Sequence, residues 1–181
     1  MTRIAILKTD DMNDEQRAVI EASKANGKPY GGPFWAYIRN PKLMQCVQNT
    51  ADCIADSTLS PREQQIATLT VARFWNANYP WAAQSRNGLK VGLTQQEIDA
   101  INARAALPSS SKRELLAHEI ANELLADKRL SAATYAAAEA CFSTEELVAL
   151  VARVGAFSMT CCTANAFDIT PGDDAPDRLK A

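Results

Sequence analysis

SPREQQIATLTVARFWNANYPWAAQ, residues 60–84, decides how this chain folds. Ser60 and Glu63 stand three residues apart, the spacing of a capping box. There a hydroxyl and a carboxylate satisfy the orphan N–H groups at a helix start. Pro61 follows at the first helical position, where its missing N–H costs nothing. The run IATLTVARFW is then apolar on almost every side, with Arg73 as its sole charge. A helix apolar all round is a buried helix, so this one is expected at the centre of the domain or in a subunit interface. Asn78-Tyr79-Pro80 breaks it and starts a second helix with proline near its first turn.

Outward from this stretch the same start signals recur at Thr94–Glu97, Ser111–Glu114 and Ser143–Glu146. Leu93 with Ile98, and Phe142 with Leu147, have the spacing of hydrophobic staples. Gly92 sits where the preceding helix should end. No alternating strand pattern is present. The reading is all-α. The predicted helices cover about 13–25, 41–56, 61–77, 80–91, 95–105, 112–126, 132–141 and 144–167. Gly27 to Gly32 reads as a loop. The chain is expected to form a single domain over 1–181, with 1–11 and 171–181 extended or frayed.

The last helix, VALVARVGAFSMTCCTANAF (148–167), is also apolar all round, with Arg153 its sole charge, and is likewise expected at the centre of the domain or in a subunit interface. A buried arginine needs a carboxylate, backbone carbonyls or a ligand. Of 181 residues 47% are hydrophobic, enough for a sizeable core. The net charge of −2 gives no support for nucleic acid or an anionic membrane as partner. The run Val154 to Phe167 reads as too short and too polar to cross a bilayer. A cytoplasmic protein is expected. Five cysteines without a CxxC and a single histidine argue against a metal site of the usual zinc type. The thiols are expected to be reduced and mostly buried. Cys161 and Cys162 point about 100° apart on a helix and so do not share one face.

GPFWAYIRNPKL (32–43) and LSPREQQIATLTVARFWNANYPWAAQSRNGLKVGLTQQEIDAI (59–101) resemble the carboxymuconolactone decarboxylase family, which shares the all-helical fold of the alkylhydroperoxidase AhpD. The resemblance spans about residues 12–168, including TANAFDI. Members of that family commonly read tyrosine-glutamate-tryptophan, two residues, then histidine. Here Pro80 takes the glutamate position and Gln84 the histidine position. The CxxC cysteines of the peroxidase branch fall on Ala77 and Pro80, and an acidic residue of its proton relay falls on Gln65.

The resemblance implies a cofactor-free enzyme acting on a small oxygenated anionic ring or lactone, by decarboxylation or a related enolate-type proton transfer. It also implies a homo-oligomer, trimer or hexamer. The alternative is a non-catalytic binding protein on the same scaffold. A thiol peroxidase is disfavoured without CxxC. Gln84 is the catalytic candidate, a donor to an oxyanion that cannot be a general base near neutral pH. It fits a buried, backbone-satisfied amide equally well. Trp81, Gln84 and Gly88 share a helical face. Arg73, Trp75, Tyr79, Trp81 and Asn165 are substrate-binding candidates. Core packing for the aromatics, a glutamate partner for Arg73 and a capping role for Asn165 are the competing readings. His118, off the apolar face of its helix, is expected at a flank or in solvent.

Overall fold

The computed structural model describes residues 2–172 and Leu179, and among them there is helix but no strand. After a 3-10 turn at Thr9–Asp11 come α1 (Asp14–Ala25), a short α2 (Phe34–Tyr37), α3 (Pro41–Ala55), α4 (Pro61–Phe74) and α5 (Asn78–Lys90). They are followed by α6 (Gln95–Asn102), α7 (Lys112–Ala126), α8 (Ala132–Glu139) and α9 (Thr144–Ala166). The four-residue α2 is absent from the sequence reading because its glycine and proline neighbours mask one turn of helix.

α4 is the axis of the fold. Ile66 through Ala72 are all buried, and α4 packs against α5, α6, α7 and α9. Ile66, Leu69, Trp81, Ile98, Ile120 and Leu150 meet around it, each at most 1% exposed. Burying an aliphatic side chain of this kind contributes about 1.5–3 kcal/mol. A satellite cluster of Val19, Tyr37, Ile38, Met44 and Val47 joins α1, α2 and α3. Tyr37 links it to α9 through a 2.9 Å hydrogen bond with Thr163.

Both sides of the α4–α5 break have local causes. Ala77 N–H bonds the Ala72 carbonyl at 3.0 Å, and Asn76 between them takes the left-handed conformation at φ 47°. This is a Schellman end, with asparagine where glycine is more usual. Gly92 closes α5 in the same way, at φ 86° with Leu93 N–H bonded to the Gly88 carbonyl.

The helix starts are joined by ion pairs. Glu63, Glu97, Glu114 and Glu146 each occupy the third position of a helix. Arg62 of α4 binds Glu114 of α7 at 2.7 Å and Glu97 of α6 at 2.6 Å. Arg113 of α7 binds Glu63 of α4 at 2.6 Å and Glu146 of α9 at 2.7 Å. The central helices therefore exchange arginines across their N-termini. Glu114 bonds Arg62 and Ser109 rather than the Ser111 N–H, so the expected reciprocal box at Ser111 is only half made. α1 carries a full box the sequence reading missed, Asn13 with Gln16.

Several expectations are refined or corrected. Within one chain the outer side of α9 is uncovered: Val148 is 63% exposed, and Val151 and Met159 also face outward. Its inner side packs on α3, α4 and α7. Over its full length α9 is long and apolar enough to cross a membrane, which the shorter window at 154–167 concealed. Residues 2–8 carry no helix and are held to the domain, where Arg3 pairs with Asp168 at 2.5 Å and Arg39 donates to the Ala5 carbonyl. Of 171–181, only 171, 172 and 179 lie within the described residues. Cys46, Cys53 and Cys162 are exposed and only Cys161 is buried, because α3 and α9 turn the other cysteines outward. His118 is not in solvent. Its ring lies between α7 and α4, with Nδ1 2.7 Å from Thr70 Oγ1 and Nε2 3.2 Å from Asn122.

Candidate functional site

Gln84 lies half-buried in the second turn of α5. Its side-chain oxygen accepts from Gln65 Nε2 at 3.0 Å and from Asn87 Nδ2 at 3.3 Å. Gln65 Nε2 also reaches the Gln84 backbone carbonyl at 2.9 Å. With its oxygen held by two donors, the amide has one orientation, and its NH2 points away from both. Among the described residues no acceptor meets that NH2. The chemistry of this cluster is a fixed, neutral hydrogen-bond donor.

Three amides make up the cluster, and no carboxylate, imidazole or thiol is hydrogen-bonded to it. Gln65 and Gln84, the two positions the resemblance assigns to a proton relay, do meet. Their contact is amide to amide, so it orients a group but transfers no proton near neutral pH. Asn87 was missed, although its i, i+3 spacing from Gln84 is a readable signal.

The other candidates occupy separate places. Trp81 is 0% exposed within the core. Gly88 is buried too, with no room to spare: an added Cβ would lie 3.3 Å from Leu93 Cδ1 and 3.4 Å from Ile98 Cδ1. The face shared by Trp81, Gln84 and Gly88 is therefore chiefly a packing face, with Gln84 at its margin. Trp81 Nε1 and Ser85 Oγ on that face are buried and have no hydrogen-bond partner among the described residues.

Tyr79 is half-buried beneath the loop at 27–33. Its ring lies 6.2 Å from that of Trp35, and Gly32, at φ 60°, leaves the space it fills. Burial pushes its hydroxyl pKa up, so it stays protonated. Trp75 and Asn165 do meet, through a 2.7 Å bond from Asn165 Nδ2 to the Trp75 carbonyl. That contact pins the end of α9 to the end of α4. Arg73 donates from Nε to the Asn102 carbonyl at 2.6 Å and from Nη1 to Asn76 Oδ1. These bonds clamp α4 to α6, where burial and Arg104 lower the Arg73 pKa.

At 1.5 Å per residue, Gln84 lies about 9 Å along α5 from Asn78. The helix N-terminus and the Gln84 backbone therefore do not sit at one level of α5. Nor do the thiols offer peroxidase chemistry at this helix. Cys161 belongs to α9, and burial raises its pKa. Among the described residues no cluster of His, Cys, Asp and Glu could hold a metal ion.

Residues 41–123 match the carboxymuconolactone decarboxylase family. No curated protein gives a match. Among solved structures, an uncharacterised peroxidase-related protein from Ralstonia eutropha JMP134, described as an alkylhydroperoxidase AhpD core, superposes with TM-score 0.78 at 17% identity, covering 96% of this chain and 93% of its own. A peroxidase-related protein from Silicibacter sp. TM1040 gives TM-score 0.79 at 17% identity, covering 99% and 96%. A protein of unknown function from Agrobacterium tumefaciens gives 0.70 at 16% identity, covering 76% and 97%. At these identities the structures speak for the fold, which is AhpD-like.

Proposed function

From the carboxymuconolactone decarboxylase family segment at residues 41–123 and the amide cluster inside it, we propose a cofactor-free enzyme acting on a small oxygenated anionic ring or lactone. The observation that carries this reading is the Gln84 NH2, held as an oriented donor by Gln65 and Asn87. In a decarboxylation the C–CO2 bond breaks and its electron pair moves onto an enolate oxygen. A pre-oriented N–H donor stabilises that charge most as it forms. The proton that later reaches carbon comes from water or from the substrate, since the cluster holds no acid. With Trp81 enclosed in the core, Tyr79, protonated and beside the glycine loop, and Trp75 are the remaining aromatic candidates for a flat ring.

The absence of a titratable group from the amide cluster favours a second reading, a non-catalytic binding protein on the same scaffold. One experiment separates the two. Gln84→Ala should lower turnover of a lactone or keto-acid substrate about a hundredfold or more, the loss typical of one oxyanion donor. The rate should show no ionisation belonging to residue 84. A binder would lose affinity with no turnover to lose. Unchanged turnover and unchanged affinity would defeat both readings.

The assembly is part of the proposal. Val148, Val151 and Met159 on α9, with Leu43, Phe74 and Leu89, are large apolar side chains at the surface of one chain. A homo-oligomer, trimer or hexamer, would cover such surface. It is proposed as cytoplasmic, acting on small molecules rather than on nucleic acid or membrane. A stable 19.7 kDa particle in light scattering at micromolar concentration would refute the assembly.

A further inference from the structure

Arg153 lies mid-way along α9, largely buried and with no carboxylate partner among the described residues. Its Nη groups meet neutral oxygens, Gln64 Oε1 and, at 3.5 Å, Thr68 Oγ1. Its Nε–H is buried and has no acceptor among the described residues. Arg62 and Arg113, by contrast, are each matched to two carboxylates. A buried charge without a counter-charge is costly, and a bound anion removes that cost.

Arg153 is one of the residues lining a hollow of about 80 Å3 between α3 and α9. Its wall is mostly apolar, from Val47, Ala51, Ile54, Ala156, Phe157 and Met159. Thr50 and Thr160 also line it, but their hydroxyl protons go to the carbonyls of Cys46 and Ala156. Arg153 is thus the one cationic lining group. The volume lies between the roughly 30 Å3 share of a water and the roughly 150 Å3 cavity that admits benzene.

We propose that this hollow binds a small monocarboxylate of short alkyl chain, with the carboxylate on Arg153 and the chain against Val47, Ile54 and Phe157. One cation and an apolar wall select against dicarboxylates and against neutral molecules of the same shape. The site is independent of the proposed enzyme activity. Gln64, which holds Arg153, and Gln65, which holds Gln84, are consecutive on α4 and point about 100° apart.

The test is an NMR titration of the full chain labelled with 15N-arginine, following the Arg153 Nε–H resonance. Butyrate should shift it saturably, and succinate more weakly. Butyramide, the neutral isostere, should leave it in place. Ala156→Leu fills the hollow while keeping the cation, and should weaken butyrate binding about tenfold or more. Arg153→Met, followed by the methyl signals of Val47 and Ile54, should lose the response to butyrate. If Arg153→Met does not fold, Ala156→Leu carries the test. Equal shifts with butyramide, or no saturation with butyrate, would overturn the proposal. So would a lowered oligomer mass in Arg153→Met with no butyrate response in the wild type, because the counter-charge would then belong to a second copy of the chain.

Discussion

Replacing Arg113 with methionine tests the reasoning about the core most directly. Arg113 holds two carboxylates, Glu63 at 2.6 Å and Glu146 at 2.7 Å, and the Cys141 carbonyl at 2.6 Å. Its guanidinium also lies 4.4 Å from the centre of the Phe142 ring. The Glu63 and Glu146 side chains are 5% and 12% exposed, so water cannot take over the arginine's role. Removing one partner of a buried pair costs about 3–5 kcal/mol. Arg113 is itself one-third exposed, which places the loss near the lower end, about 3 kcal/mol. Domains are stable by about 5–15 kcal/mol, so the variant should still fold. With a urea slope of about 2 kcal/mol/M, the midpoint should fall by about 1.5 M. Urea titrations at one fixed protein concentration would measure it, since assembly also adds stability. Arg113→Met combined with Glu63→Gln and Glu146→Gln should recover part of the loss, because the stranded charges are gone. The acid limb supplies a second readout. Hydrogen bonding to Arg113 lowers the Glu146 pKa from 4.5 to about 2. Its contribution is complete above pH 4.5 and is lost as pH falls through about 2. The variant should have a flatter profile over that window. A midpoint within about 0.25 M of wild type, or no recovery in the triple variant, would refute the reasoning.

Burial lowers the His118 pKa from 6.5, so the folded state favours the neutral ring. Stability should therefore be complete above pH 6.5 and decline as pH falls from there toward the lowered value; urea unfolding of wild type and His118→Gln should show this limb only in the former. Gly32→Ala would place a Cβ 2.1 Å from Tyr79 Cε1 on a backbone at φ 60°. It should cost about 1–3 kcal/mol in urea unfolding, with Tyr79→Ala in the same chain relieving part of it. Trp81→Ala should cost about 3–5 kcal/mol, because its ring is wholly enclosed; a loss below about 1 kcal/mol would show that this helix face is not core. Gln65→Leu should free the Gln84 amide to rotate, lowering kcat about tenfold with KM little changed, if Gln84 acts as proposed.

What the sequence by itself determined is local. Ser60, Thr94 and Ser143 announced helices because a capping box closes within four residues, and the boxes stand where expected. A break near Asn78-Tyr79-Pro80 was legible because a proline acts on its own backbone, but the left-handed Asn76 that ends α4 earlier was not. All-round apolarity placed α4 and α9 at the domain centre or in a subunit interface; one chain buries α4 and leaves the outer side of α9 uncovered. Composition measures whether a surface avoids water, not whether one chain supplies enough neighbours to cover it. Only the tertiary structure decided who pairs with whom. Glu63 and Glu114 look like ordinary capping residues until α4 and α7 lie side by side and exchange arginines. His118 looked like a flank residue, because helical position does not reveal that Thr70 faces it from another helix. Gln65 and Gln84 were each visible as missing ionisable groups, yet their hydrogen bond depends on the crossing of α4 over α5. Arg153 was marked as a charge needing a partner. That no carboxylate among the described residues reaches it, and that a hollow lies beside it, depends on how α3 and α4 pack on α9.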